Sequence, residues 1–106
     1  MKPARLRPAA TQDLLDGSAW YFDQGGPELA GRWFDAARQA LIAVEREPGL
    51  GSMRLGRLAG FDRLRSWPVA GFPARWFYVE AVDHMDVLRL LGERQNVVRI
   101  LGHENP

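Results

Sequence analysis

The chain has 106 residues, about the length of one domain and too short for two ordinary cores. Hydrophobic residues make up 46% and charged residues 25%, a balance that supports a packed core and argues against disorder beyond the ends. The absence of cysteine excludes a disulfide framework, a thiolate metal site and a cysteine nucleophile, and the net charge of only +1 hides an asymmetry: Arg54, Arg57, Arg63, Arg65, Arg75, Arg89, Arg94 and Arg99 crowd the second half, while the one lysine is Lys2.

Arginine's planar fork suits carboxylate and phosphate, so this set is read either as a face for an acidic protein or nucleic acid, or as a solvated surface. Met1-Lys2-Pro3-Ala4-Arg5 lacks the apolar run of a signal peptide, and no stretch of about twenty apolar residues occurs. A cytoplasmic protein with no membrane partner is therefore expected.

In Lys2–Arg7, Ala4 and Leu6 alternate with Arg5 and Arg7 before Pro8, the pattern of a short edge strand. From Ala9 to Gln24, Ala10, Leu14 and Tyr21 recur at helical intervals with Leu15 and Phe22 beside them. Gly25-Gly26-Pro27 breaks this helix, and Pro27 with Glu28 suits the first turn of a second one. There Ala30, Trp33, Phe34, Ala37, Leu41 and Val44 repeat every three or four residues, opposite Arg32, Asp35, Arg38 and Gln39. Glu47-Pro48-Gly49 ends it, with Gly49 suited to a left-handed exit. So short a connection predicts an antiparallel helical hairpin.

Leu50–Gly60, rich in glycine with Arg54 and Arg57, reads as an irregular basic loop, and Phe61–Trp67 as a strand with Phe61, Arg63, Arg65 and Trp67 on one face. Arg75–Val79 and Met85–Leu91 are predicted as two strands joined by the turn Val82-Asp83-His84, at the heart of the sheet. Simple alternation places Met85, Val87, Arg89 and Leu91 on one face and Asp86, Leu88 and Leu90 on the other. Arg89 on an apolar face is then either a paired structural residue or part of a binding surface. Beyond Gly92, Val97, Val98, Ile100 and Leu101 suit a short closing helix or strand, and His103–Pro106 a frayed end. The reading is one domain over residues 1–106.

Candidate chemistry is sparse. His84 and His103 are too few and too peripheral for a metal site, and neither a phosphate-binding glycine loop nor a nucleophile elbow occurs around Ser18, Ser52 or Ser66. Arginines gathered on one sheet face would stabilise a developing negative charge but would not serve as a general base near neutral pH. No catalytic residue, metal or cofactor is expected.

The succession of strand, helical hairpin ending in Glu47-Pro48-Gly49, basic loop, and strands carrying Trp67-Pro68-Val69, Phe77-Tyr78 and Val87-Leu88-Arg89-Leu90-Leu91 resembles the ParE branch of the RelE/ParE toxin superfamily over nearly the whole chain. The resemblance implies an α+β fold: a short N-terminal strand, an antiparallel helical hairpin, then a three-stranded antiparallel sheet and a short C-terminal element. It implies the toxin of a type II toxin–antitoxin system that inhibits DNA gyrase and is neutralised, as a hetero-oligomer, by a cognate ParD-like antitoxin. No sequence-specific nucleic-acid binding is expected.

Candidate target-binding residues are Arg57, Arg63, Arg65, Arg75, Arg89 and Arg94; candidate antitoxin-binding residues are Trp20, Tyr21, Trp33, Phe34 and Leu41. The hairpin's aromatics exceed what so small a domain readily buries, and an amphipathic partner helix would cover the excess. The N-terminal or the last strand would accept an added strand of that partner. Two alternatives are a RelE-type, ribosome-dependent mRNA endonuclease, using Arg75 and Arg94, and a non-toxic antitoxin-binding relative. The nuclease pattern has a tyrosine near the C-terminus, and none follows Tyr78 here. After the Val-Leu-Arg block, ParE relatives usually carry histidine then glycine, where this chain has Gly92-Glu93.

Overall fold

The computed structural model describes residues 1–103. Its elements are β1 (Ala4–Leu6), α1 (Pro8–Arg46), a 3-10 turn (Pro48–Leu50), α2 (Arg54–Leu58), β2 (Leu64–Pro68), β3 (Ala74–Glu80), β4 (Met85–Gly92) and α3 (Val97–Gly102). Beyond His103 the expected frayed end lies outside the described residues.

The expected hairpin is built within α1. Gly26 has φ 74° and ψ −165°, a region essentially reserved for glycine, and interrupts the helical dihedrals just before Pro27. In a straight helix Leu14 and Trp33, 19 residues apart, would be separated by roughly 28 Å. Instead the Trp33 indole N–H donates to the Leu14 carbonyl at 3.1 Å, so the chain has folded back on itself. Gly17 lets the arms meet, since a Cβ there would stand 2.5 Å from the Trp33 ring. The second arm buries Ala30, Trp33, Ala37, Ala40 and Val44 against the sheet. It stops where Glu47 leaves helical dihedrals ahead of Pro48. Gly49 makes no left-handed exit: among the described residues positive φ is confined to Gly26, Gly60 and Gly71.

The sheet has four strands in the order β1-β4-β3-β2, one more than the expected three-stranded antiparallel sheet. β2, β3 and β4 are antiparallel neighbours, and β1 joins the far side of β4 in parallel, with Ala4 opposite Met85 and Leu6 opposite Val87. A parallel pair needs a crossover connection, which the hairpin supplies. The last strand, expected at an edge, is thus internal over Met85–Val87, where β1 occupies its outer side.

β2 is the other edge, and it is closed in three ways. Ser66 exchanges backbone hydrogen bonds with Ser52, the Leu64 N–H donates to the Phe61 carbonyl, and Pro68 has no N–H to offer.

A β-bulge corrects the expected faces of β4. Phe77 pairs with Arg89 and Tyr78 with Val87, so Leu88 has no partner in β3 and the alternation changes phase there. Leu90 therefore joins Met85 and Val87 under the hairpin, with Trp33, Ala37, Val44, Trp76 and Tyr78. Leu88 and Leu91 turn to the other face with Phe61, Leu64, Phe77 and Leu101. Burying each large side chain in these clusters contributes about 1.5–3 kcal/mol.

The second face is covered by α2, which the sequence pattern does not announce, and by α3, the closing element expected there as a short helix or strand. Residues expected to form an irregular loop hold a helix because Gly56 packs where any Cβ would meet the Leu64 and Phe61 carbonyls. The turn through left-handed Gly60 then consumes Phe61–Arg63, so β2 begins at Leu64 and the expected strand start at Phe61 is lost. α3 is helical, with the Asn96 side chain capping the Arg99 N–H.

Candidate functional site

The structure disperses the six candidate target-binding arginines. Arg65 lies on the hairpin side of β2, opposite Tyr78, and donates to the carbonyls of Gly51 at 2.8 Å and Gly49 at 3.4 Å. Arg75 lies on the other face, where its Nε donates to the Ser66 hydroxyl at 3.0 Å. Arg63 precedes the strand and its Nη2 reaches the Glu80 carbonyl at 2.9 Å. The expectation that Phe61, Arg63, Arg65 and Trp67 share a strand face fails, because Phe61 packs under α2 and α3 while Trp67 packs under the hairpin. Arg57 is exposed on α2, and Arg94 is exposed in the turn after β4.

Arg89 has a partner on the first arm of the hairpin. Its Nε and Nη2 donate to the two carboxylate oxygens of Asp13 at 2.7 and 2.9 Å, with side chains only 19% and 13% exposed. The same carboxylate accepts the Leu90 N–H at 3.0 Å. β1 pairs with β4 only through Val87, so beyond it Asp13 takes a neighbouring strand's place at the β4 backbone. Of the two readings of Arg89, the geometry is that of the paired structural residue.

The 48–51 turn is fixed from beneath by Tyr78. Its hydroxyl accepts from the Gly51 N–H at 2.9 Å and donates to the Pro48 carbonyl at 2.7 Å. Burial pushes this phenol's pKa up, opposed by the Gly51 hydrogen bond and the nearby Arg65. Burial likewise raises that of Tyr21.

On the α2/α3 side an open concavity of about 300 Å³ is lined by Leu55, Arg75, Phe77, Leu91, Gln95 and Asn96, with Glu93 also in its wall. Arg75 is the only one of the six arginines lining it. The charges of this layer, Arg54, Arg57, Arg94 and Arg99 against Asp62 and Glu93, are mainly positive.

The five candidate antitoxin-binding residues divide by exposure. Trp33 is 3% exposed and belongs to the core, and Tyr21 and Leu41 are partly buried against it. Tyr21, Trp33 and Phe72 form a cluster with ring centroids 4.9–5.4 Å apart, tying the hairpin to the β2–β3 turn. Trp20 at 57% and Phe34 at 37% are open. Leu15 and Phe22, expected beside the core-facing repeat, are 50% and 54% exposed. Their separate spacing from Ala10, Leu14 and Tyr21 is the signal that distinguishes them in the sequence.

Among the described residues no group of histidine and acidic side chains could hold a metal ion, and no helix is long and apolar enough to cross a membrane. No protein-family model matches the chain, and no curated protein matches it. Among solved structures, a chain of the chromosomal ParDE TA system from P. aeruginosa matches with a TM-score of 0.73 and 16% identity, covering 87% of this chain and 96% of that one. A hairpin crossing over a mixed sheet, with β1 parallel to the last strand, is thus an architecture this chain shares with a component of a toxin–antitoxin system.

Proposed function

We propose that the protein is the toxin of a type II toxin–antitoxin pair, acting in the cytoplasm as a non-enzymatic inhibitor of DNA gyrase and silenced by direct binding of a ParD-like antitoxin. The observation that carries this reading is the ParDE fold likeness over nearly all of both chains. The site chemistry supports it: exposed guanidiniums at Arg57, Arg63 and Arg94 suit an acidic protein or nucleoprotein surface. Among the described residues, the Arg75 concavity is lined by one side chain of acid–base type, Glu93.

The testing experiment is a supercoiling and DNA-cleavage assay of purified bacterial gyrase with increasing protein. Inhibition with accumulation of cleaved DNA is expected, together with its loss in an Arg57→Glu/Arg63→Glu/Arg94→Glu variant of unchanged thermal stability. Unimpaired gyrase at large excess, with messenger RNA cut on ribosomes, would transfer the function to the nuclease reading, with Arg75 and Arg94 as its phosphate-binding residues.

A further inference from the structure

Between Pro8 and Arg46 the backbone leaves helical dihedrals at one residue, Gly26. The hairpin therefore reverses over a one-residue hinge, at φ 74° and ψ −165°, where glycine sits without strain and other residues do not. Everything before the hinge, β1 and the first arm, forms one limb. It is held to the rest of the molecule without covalent help: β1 pairs with β4, Asp13 binds Arg89, and the Leu14 carbonyl accepts from the Trp33 indole. None of these contacts requires the limb to belong to the same polypeptide.

With helical dihedrals at Gly26, the 39 residues of α1 would run straight for roughly 58 Å. Because the two arms are antiparallel, two such helices can lie side by side in opposite directions, each first arm against the other copy's second arm. Each limb then carries its β1 to the other copy's β4, and the contacts of the monomer are made again between chains. A short hinge is the usual site of such an exchange.

Two adjacent residues act on this choice from opposite sides. Gly26 keeps the closed form free of strain; an added Cβ would meet nothing within 4 Å, so the demand for glycine is one of backbone conformation alone. Pro27 obstructs the open form. In a continuous helix it would offer no N–H to the Asp23 carbonyl, its ring would crowd that carbonyl, and it would disfavour helical dihedrals at Gly26. In the hairpin it stands in the first turn of the second arm, where it does neither harm.

We propose that Gly26 and Pro27 together form a monomer lock. The chain has a second architecture with the same contacts, a dimer exchanging residues 1–25, and this pair excludes it. The proposal goes beyond the toxin reading and does not rest on it.

The sequence holds no cysteine, so a pair placed at the register partners Arg5 and Asp86 is unique. In the Arg5→Cys/Asp86→Cys chain a short bis-maleimide links the pair within one polypeptide when the limb is closed, and between two when it is exchanged. A denaturing gel separates the two products, and sedimentation equilibrium gives the oligomeric state. The native hinge yields a monomer with internal links. Gly26→Ala/Pro27→Ala in the same background yields a dimer linked between chains, its dissociation constant at least about a thousandfold lower. Gly31→Ala, which also adds a methyl group in open space but away from the hinge, stays monomeric.

A monomeric double variant, or a dimer whose links are all internal, overturns the proposal. So does a native-hinge chain already linked between copies. Pro27→Ala alone keeps the glycine reversal, and hence the fold, while it removes the obstruction, so its interchain fraction rises with protein concentration. If the double variant fails to fold, this single variant decides: an interchain fraction that stays at the native level across the concentration series overturns the lock.

Discussion

Asp13 shows how one carboxylate substitutes for a missing length of strand. It neutralises Arg89 and accepts the Leu90 N–H at the point where β1 no longer reaches. Replacing it by alanine takes the carboxylate away from a mostly buried guanidinium and from a backbone donor together. Asp13→Ala should cost about 2–3 kcal/mol in urea unfolding, somewhat less than for a fully buried pair because both side chains keep some solvent. Tyr78 plays the corresponding part for the 48–51 turn, and Tyr78→Phe should lose about 1–2.5 kcal/mol with its two hydrogen bonds. The raised pKa adds a pH signature. Above the ordinary phenol value near 10 the unfolded chain releases this proton before the folded one does, so the native protein loses stability as pH rises. A stability profile over alkaline pH should show this loss in the native chain and a smaller one in Tyr78→Phe. Neither role was legible in the sequence. The hydrogen bond between Asp13 and Leu90 spans 77 residues and that between Tyr78 and Pro48 spans 30, and no local pattern announces either.

Among the elements, the hairpin was the most legible because its signals are local: a three-and-four repeat, a Gly-Gly-Pro break and a Glu-Pro-Gly stop. Its reversal depends on Gly26, where an added Cβ would meet no neighbour within 4 Å, so a substitution acts through the backbone alone. Gly26→Ala should destabilise by about 1–3 kcal/mol. Gly31→Ala, in ordinary helix with equal space, should stabilise by about 0.5–1 kcal/mol, and calorimetric melts of the two give opposite signs. α2 is hidden in the sequence because glycine signals both looseness and close approach. At Gly56 it is close approach, against the Leu64 and Phe61 carbonyls. In β4 the strand was plain but its faces were not, since a period of two cannot reveal a bulge opposite a neighbouring strand.

Across the whole molecule the sheet separates two layers of different character. One is a hairpin whose first arm is acidic and apolar outside, and the other a small basic layer of α2 and α3. The arginine excess of the second half was visible in composition, but its scatter over both faces was not. Which side of the sheet an arginine occupies depends on registers fixed only by folding. The same division keeps the two tests apart, one of arginines against gyrase and one of the hinge within the hairpin.

The parallel pairing of β1 with β4 also orders events in time. Ala4–Leu6 is synthesised long before Met85–Val87 but is hydrogen-bonded to it, so the sheet cannot close until β4 has emerged. The hairpin can form earlier, from local contacts, with both of its faces uncovered. A nascent chain therefore exposes the hairpin's outer face before it has a finished sheet, and the closed architecture arises only once β4 has been made.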